Sequence, residues 1–319
     1  MPNRRKNMLD SHGEGGQKTE QTVSLAEAKK MFLRDIRLLS PDTQRWHKEN
    51  LTALEKVLAK QTMEISDVRS LTAKMVKENF VFYMFEDMGL MSNTINGRVR
   101  SVRALLKFLH REGHISKDFG ADIPMIKGEK VIIETFSEEQ IEELLRQPNR
   151  HTFTGSRDYT LMLLLLETGI RISECVKIDL PDVHLKEGQI RIHGKGAKQR
   201  MVPFQGKFRR ALLRYLEVRG LAESDALFVT IDGTRISKRY VQELIQNYGE
   251  MAHIGDVRVS PHTFRHTMAK YYILAGGDIF SLQKILGHST LEMVRRYVEL
   301  FSTDVQMQHR KFSFLENHM

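Results

Sequence analysis

Two histidines and an arginine lie where the sequence predicts the start of a helix. Ser260 is a suitable N-cap, and Pro261 suits the first helical position. His262 and Arg265 then lie three residues apart on one helix face, near an N-terminus that favours an anion. A guanidinium and an imidazole in this position could bind a phosphate. Taken alone, an ordinary pair of surface residues is the alternative interpretation.

The same helix offers a zinc site as a competing interpretation, because His262 and His266 lie four residues apart. Thr263, however, follows the first histidine where a zinc protease has glutamate, and no third ligand follows at a standard spacing. The chain has one cysteine, Cys175, which excludes an intramolecular disulfide and a cysteine-based zinc cluster. We therefore expect no metal site.

A second arginine lies at the end of a helix. The leucine-rich segment 157–167 predicts a buried helix, and Gly169 is expected to turn the chain after it. This turn presents Arg171 at an element boundary. A surface arginine paired with Glu174 is the alternative interpretation.

A third histidine and a tyrosine follow near the C-terminus. Gly287 is a suitable C′ residue and Ser289 a suitable N-cap, so His288 lies between two helix ends. Tyr297 follows nine residues after His288, beside Arg295 and Arg296. Taken singly, a capping histidine and a core tyrosine would explain both residues.

A basic hairpin completes the set of residues that could do chemistry. Residues 189–193 and 200–204 predict two strands around a turn at 194–198 that contains Lys195. The stretch 186–210 contains eight Lys or Arg and one acidic residue. The turn is not a phosphate-binding loop of the NTPase type, because no Gly-Lys-Ser/Thr follows at the required spacing.

The N-terminal part of the chain is expected to be helical, with helices near 24–39, 42–61, 66–88 and 93–112. In the last of these, one stripe is apolar and is formed by Val99, Val102, Leu106 and Leu109. A second stripe is basic and is formed by Arg100, Arg103, Lys107 and Arg111. Residues 88–111 contain five Lys or Arg and no acidic residue, which favours a nucleic-acid contact over an ordinary solvated face.

Charge and composition indicate the partners and the compartment of the protein. The 319 residues carry a formal net charge of +9, of which +6 lies in residues 1–118 (21 basic and 15 acidic), so we expect a polyanionic partner. The longest apolar runs have six residues, far short of a membrane span, and we expect no membrane partner. A single cysteine favours a reducing compartment, and hence the cytoplasm.

Taken together, these segments resemble the tyrosine recombinase family, the phage integrase and Xer-like enzymes. The family's first arginine box resembles residues 168–174, with Arg171 as the arginine and Glu174 as its supporting acid. Its Gly-Lys-Gly turn resembles the hairpin with Lys195. The remaining boxes of the family match, in order, His262 with Arg265, Leu286-Gly287-His288, and Tyr297.

The resemblance implies a mainly α fold with a small antiparallel β-sheet in the catalytic domain, and a two-domain, C-shaped clamp on DNA. It implies five parts, which are a disordered tail over 1–23, a helical DNA-binding domain over 24–113, a linker over 114–135, a catalytic domain over 136–303 and a C-terminal tail over 304–319. The sequence supports the start of the catalytic domain at residue 136, because Ser137 and Gln140 are suited to a capping box directly after Phe136. A tail of 23 residues is also too short for an additional arm-site-binding domain.

The resemblance also implies the role of each candidate residue. Tyr297 would be the nucleophile and would form a 3′-phosphotyrosyl link, with no ATP, metal or other cofactor. Arg171, Arg265 and His288 would stabilise charge on the phosphate. Lys195 would protonate the leaving 5′-hydroxyl, and His262 would assist proton transfer at the tyrosine.

The partners implied are double-stranded DNA with inverted-repeat core sites and three further copies of the chain in a homotetramer. The expected DNA contacts are Arg98, Arg100, Arg103, Lys107, Lys198 and Arg200. The C-terminal tail would dock on a neighbouring protomer or, alternatively, fold back on its own domain. Integration, transposition, excision and chromosome-dimer resolution remain open, and type IB topoisomerase-like relaxation and a catalytically inactive DNA-binding accessory protein are the alternative functions.

Overall fold

The computed structural model describes residues 22–128, 133–194, 198–287 and 290–301. Residues 1–131 form one compact unit and residues 132–319 a second. The described residues are mainly helical and contain one three-stranded antiparallel sheet, which confirms the predicted fold class at that level. Lys195, His288 and the C-terminal tail over 304–319 lie outside the described residues, as does nearly all of the N-terminal tail.

The first unit is built from helices. They are α1 (Leu25–Asp35), α2 (Pro41–Lys60), α3 (Ala73–Val76), which continues as a π-helix over Lys77–Asp87, and α4 (Ser92–Arg111). Ser24 caps α1 in a capping box with Glu27. Ser40 caps α2 with Pro41 at its first turn, so the proline lies at the predicted helix boundary.

The helix expected over 66–88 is shorter than predicted. A short 3₁₀ turn occupies Val68–Ser70, and α3 begins at Ala73. The cause is local, because Asp67 accepts a hydrogen bond from the backbone N–H of Arg69, and Thr72 accepts one from Met75. Asp67 thus caps the 3₁₀ turn and Thr72 caps α3, so no single helix runs from residue 66 to residue 88.

The apolar stripe of α4 lies in the core of the first unit, as its spacing predicts. Val99, Val102, Leu106 and Leu109 are all at most 2% exposed. They pack with residues of α1, α2 and the π-helix in one cluster. The basic stripe therefore lies outside this core.

Part of the predicted linker lies on this first unit. Ile115 and Ile123 are buried in its core. Asn96 of α4 fixes the chain further on, since its side-chain oxygen accepts from the Ile126 N–H at 2.9 Å and its amide donates to the Ile126 carbonyl at 2.8 Å. A buried asparagine is thus satisfied by backbone of the predicted linker.

The second unit combines helices with a small sheet. Its helices are α5 (Glu138–Arg146), α6 (Phe153–Thr168), α7 (Ile172–Cys175), α8 (Gly206–Arg219), α9 (Lys238–Met251), α10 (Pro261–Leu274), α11 (Ile279–Leu286) and α12 (Glu292–Phe301). Its strands are β1 (Val183–His184), β2 (Gln189–His193) and β3 (Gln199–Pro203), in the order β1-β2-β3. The sequence did not predict β1, because two residues are too few to show an alternating pattern.

Two apolar clusters form the interior of the second unit. The larger surrounds α6, which is buried over most of its length, and includes Ile190, Val202 and Phe264. The smaller lies between α10, α11 and α12, and it contains Leu286 and Tyr297. Helix α10 therefore packs against both clusters. Over the residues that can be described, no helix is both long and apolar enough to cross a membrane.

Gly155 in α6 offers a test of how closely this unit is packed. A Cβ added there would lie 2.0 Å from the carbonyl oxygen of Asn149, a backbone atom that cannot rotate away. We expect Gly155→Ala to lower the free energy of unfolding by about 1–3 kcal/mol in chemical denaturation. Gly255→Ala is the matched control, since nothing lies within 4 Å of its added Cβ. Equal stability of the two variants would contradict this packing.

Candidate active site

The C-terminal end of α11 collects three arginine side chains. Its last carbonyls have no partner within the helix and carry the negative end of the helix dipole. Arg200 Nε donates to the Ile285 carbonyl at 2.8 Å, and Arg265 Nη2 donates to the Leu286 carbonyl at 2.8 Å. Arg171 Nη1 lies 3.4 Å from the Leu286 carbonyl oxygen. Arg171 and Arg265 thus share one acceptor, and their guanidinium groups lie side by side.

Glu174 provides the negative charge of the site. Its buried carboxylate accepts from Arg200 Nη2 at 2.8 Å and Arg200 Nη1 at 3.0 Å, a bidentate pair. It also accepts from the backbone N–H of Arg171 at 3.0 Å and from Arg171 Nη1 at 3.2 Å. Burial would raise the pKa of Glu174, but these hydrogen bonds and charges outweigh burial and lower it.

Two glycines allow these groups to approach. Gly287 ends α11 with φ +65°, as predicted for a C′ glycine, and a Cβ there would lie 2.7 Å from the Arg200 guanidinium carbon. Gly169 follows α6 with φ +57°, and a Cβ there would lie 2.7 Å from Leu286 Cδ2. The carbonyl oxygen of Gly169 accepts from Arg265 Nη1 at 2.6 Å. Both glycines therefore allow the close contacts on which the arginine cluster depends.

Tyr297 of α12 lies against this cluster. Its ring is 3% exposed within the small apolar core between α10, α11 and α12. Burial raises the pKa of its phenol, while a hydrogen bond and the charge of Arg265, and the charge of Arg171, oppose that rise. The hydroxyl is also 2.7 Å from Nδ1 of His266. The phenol oxygen thus lies beside both arginines of the site.

The two histidines of α10 have different surroundings. His262 is exposed, and its ring centre lies 6.5 Å from that of His266. Burial, with the neighbouring Arg265 and Arg171, lowers the pKa of His262. Burial, His262 and Arg265 lower the pKa of His266 to about 4, so the His266 ring is neutral near pH 7. Among the described residues, no group of three His, Cys, Asp or Glu is placed to hold a metal ion.

Arg265 keeps its charge although it is buried. Burial and the neighbouring Arg171 lower its pKa to about 10. Because this value lies well above neutral pH, the guanidinium is protonated under physiological conditions, and it loses its charge as the pH rises through about 10. The site therefore presents at least two fixed positive charges beside a neutral phenol.

The structure brings five of the sequence-predicted residues into one site. They are Arg171, Glu174, His262, Arg265 and Tyr297. Lys195 and His288 lie outside the described residues, so their positions stay predictions. His266 is a functional candidate that the sequence considered for zinc alone. The signal in the sequence was its position one helical turn after His262. The structure shows that α12 covers this face of α10.

The expected DNA contacts have varied surroundings. Arg100, Lys107 and Lys198 are exposed. Arg98 lies 3.3 Å from Met84 Sδ, and Arg103 is half-buried and donates to the Ile123 carbonyl. Arg200, which was also expected to contact DNA, is instead engaged by Glu174 and the end of α11, with its side chain 16% exposed. A DNA contact by any of these residues stays a prediction.

Comparison with known proteins identifies the family of the chain. Residues 134–303, more than half of the chain, match the phage integrase family. The chain belongs to the phage integrase family. The tyrosine recombinase XerC of Vibrio parahaemolyticus is 30% identical over 272 residues, which cover 84% of this chain and 86% of that protein. XerD of Staphylococcus epidermidis is 29% identical over 231 residues, which cover 71% of this chain and 78% of that protein.

Solved structures of other recombinases share the fold of this phage integrase family member. The XerH recombinase bound to its palindromic difH substrate superposes with a TM-score of 0.69 at 20% identity, covering 92% of this chain and 85% of that one. A lambda integrase dimer bound to a core site has a TM-score of 0.73 at 14% identity, covering 89% of this chain and 80% of that one. The likeness thus extends over both units of the chain.

The pair of Glu174 and Arg200 can be tested by a double-mutant cycle. Glu174→Gln and Arg200→Met are each expected to lower the free energy of unfolding by about 3–5 kcal/mol, because each removes one partner of a buried bidentate ion pair. The double variant should lose much less than the sum of the two. Additive losses would show that the two side chains are not coupled.

The stabilisation of the fold by Glu174 depends on pH, and the direction of this dependence is definite. The pKa of Glu174 is lowered on folding, so its stabilisation is complete above the ordinary carboxyl pKa of 4.5 and is lost as pH falls through the lower folded pKa. Chemical denaturation at a series of pH values from about pH 7 downward should therefore show the difference between wild type and Glu174→Gln becoming smaller as the pH falls.

Proposed function

We propose that this member of the phage integrase family cuts and rejoins DNA at specific sites, with Tyr297 as the nucleophile. Its family makes it a site-specific DNA recombinase, and its relatives are named tyrosine recombinases. One observation carries the choice of nucleophile. The buried phenol of Tyr297 is hydrogen-bonded with Arg265, which shares the Leu286 carbonyl with Arg171. A phosphate bound by the two arginines would therefore lie next to the phenol oxygen.

The arginines supply charge to the reaction. Attack on a phosphodiester passes through a pentacoordinate state with additional charge on the non-bridging oxygens, and fixed cations lower the barrier to it. Arg171 and Arg265 are planar donors already oriented by carbonyl oxygens, so little reorganisation accompanies the reaction. Glu174 acts through Arg171, which it holds in place.

The covalent step conserves the energy of the broken bond. The phenol oxygen of Tyr297 bonds to phosphorus, the bond from phosphorus to the 5′ oxygen breaks, and the DNA end remains linked as a 3′-phosphotyrosyl ester. The leaving 5′ oxygen takes a proton from Lys195 on the β2-β3 hairpin, and His288 donates a further hydrogen bond to the phosphate. Rejoining reverses these steps with a new 5′-hydroxyl.

Each unit offers a basic surface for the duplex. In the first unit, Arg100 and Lys107 are exposed on one face of α4, and in the second, Lys198 is exposed beside the hairpin turn. We infer that both surfaces contact phosphates of one duplex, so that the two domains close on it as a C-shaped clamp. We further propose that the DNA carries inverted-repeat core sites and that the chain forms a homotetramer on it in the synaptic complex. We also propose that the protein acts in the cytoplasm.

The nucleophile is tested by trapping on a nicked suicide duplex that carries the recognition site. Wild type is expected to become covalently attached to the DNA, and Tyr297→Phe is expected to bind it without attachment, because phenylalanine lacks the oxygen. A denaturing gel measures the covalent complex, and gel shift measures binding. Equal trapping by both proteins would overturn the assignment, and no trapping by wild type would favour an inactive DNA-binding protein.

Two-site recombination separates the proposed function from simple relaxation. A supercoiled plasmid with two recognition sites should yield recombinant products with wild type. A topoisomerase-like enzyme would relax the plasmid and leave the order of its flanking sequences unchanged.

The basic stripe of α4 is tested by the salt dependence of DNA binding. Each exposed phosphate contact releases counterions, so Arg100→Ala and Lys107→Ala should each reduce the slope of log K against log salt by about 0.9. Arg111→Ala on the same helix is the matched control, since Arg111 already pairs with Asp35 at 2.6 Å and Glu112 at 2.8 Å. An unchanged slope in Arg100→Ala and Lys107→Ala would contradict phosphate contacts by these two residues, and an equal reduction in Arg111→Ala would show that the slope follows the lost charge rather than these contacts.

A further inference from the structure

The hydroxyl of Tyr297 has two hydrogen-bond partners whose chemistry differs. Arg265 contacts the phenol, and its charge and hydrogen bond oppose the rise in the phenol pKa that burial causes. His266 lies on the same helix, and its Nδ1 is 2.7 Å from the phenol oxygen. The rings of His266 and Tyr297 are 5.6 Å apart between centres, and α10 packs directly against α12 at this point. The contact therefore joins two helices at the reacting atom.

The guanidinium fixes the direction of one of these two bonds, and the tautomer of His266 sets the direction of the other. A guanidinium can only donate, so the phenol oxygen accepts from Arg265. The phenol proton is then available for a second acceptor. Neutral imidazole has one unprotonated nitrogen, and a ring with its proton on Nε2 places that acceptor at Nδ1, facing the phenol.

We propose that His266 is the general base that accepts the proton of Tyr297 during DNA cleavage. The phenol O–H bond breaks and its proton moves to Nδ1 of His266. The phenol oxygen bonds to phosphorus, and the 5′ oxygen leaves with a proton from the general acid. During rejoining, His266 returns the proton to the departing tyrosine. This inference rests on the proposed function and adds a catalytic residue to it.

Bound phosphate would strengthen this base. The charges that face His266 are those of His262 and Arg265 on its own helix and Arg296 on α12, and with burial they lower its pKa to about 4. An anion held by Arg265 offsets one of these charges and so raises the basicity of His266. The exposed His262 is close enough to contribute to the same balance. Proton transfer is therefore favoured when DNA is bound.

The rate of covalent complex formation against pH tests this proposal on the suicide duplex. Above the pH at which His266 in the DNA complex loses its proton, the rate of wild type should be nearly flat up to about pH 9. His266→Gln should react about 10²- to 10⁴-fold more slowly near pH 7. Its rate should rise about tenfold per pH unit, since it depends on the ionised fraction of the phenol. His151→Gln, an exposed histidine of the same unit, should match wild type.

Two rescues separate a base from a structural residue. Imidazole added to His266→Ala should restore part of the rate, and a ring-fluorinated tyrosine at position 297, with its more acidic phenol, should restore part of the rate of His266→Gln. A variant that is slower by one constant factor at every pH, and that neither rescue improves, would overturn the proposal. Failure of wild type to form any covalent complex would instead overturn the proposed function.

A measurement on the wild-type protein covers the case in which the variants do not fold. Nitrogen NMR of histidine-labelled protein should show His266 protonated on Nε2 and unprotonated on Nδ1. A proton on Nδ1 would make His266 a donor to Tyr297, and this result would overturn its role as a base.

Discussion

The gathering of positive charge around the end of α11 is the interaction on which the rest of this site depends. Three arginines point at the last carbonyls of one short helix, and a single buried carboxylate, Glu174, lies among them. Like charges this close repel, and the site holds together because helix carbonyls and Glu174 offset part of that repulsion. In the proposed reaction, a bound phosphate would supply the rest.

This arrangement explains several features that look unrelated in the sequence. Gly169 and Gly287 leave room where side chains would meet Leu286 or Arg200. Strand β3 is tied to α11 by Arg200, which contacts both Glu174 and the Ile285 carbonyl. The hairpin that carries the predicted general acid is therefore attached to the arginine cluster through Arg200, close to its turn. The end of α11, Gly169, Gly287 and strand β3 are thus connected through the arginine cluster.

Local signals in the sequence were sufficient for much of this site. Caps and glycines predicted where α10 begins and where α11 ends, and alternation predicted β2 at residues 189–193. Pairings between distant residues were not predictable. Arg200 lies in a basic stretch that suggested DNA binding, yet its partner Glu174 is 26 residues away along the chain. His266 was missed because its partner lies on α12, and sequence spacing on one helix carries no information on which helix covers it.

The position of Tyr297 links the fold to control of the reaction. The phenol lies in the smaller of the two apolar clusters of its unit, between α10, α11 and α12. Without phosphate, burial raises the pKa of the phenol and keeps the His266 ring a weak base, so the nucleophile stays protonated. In the proposed reaction, the anion that the arginines bind is also the group that Tyr297 attacks. Substrate binding and activation of the nucleophile therefore follow from the same charge balance.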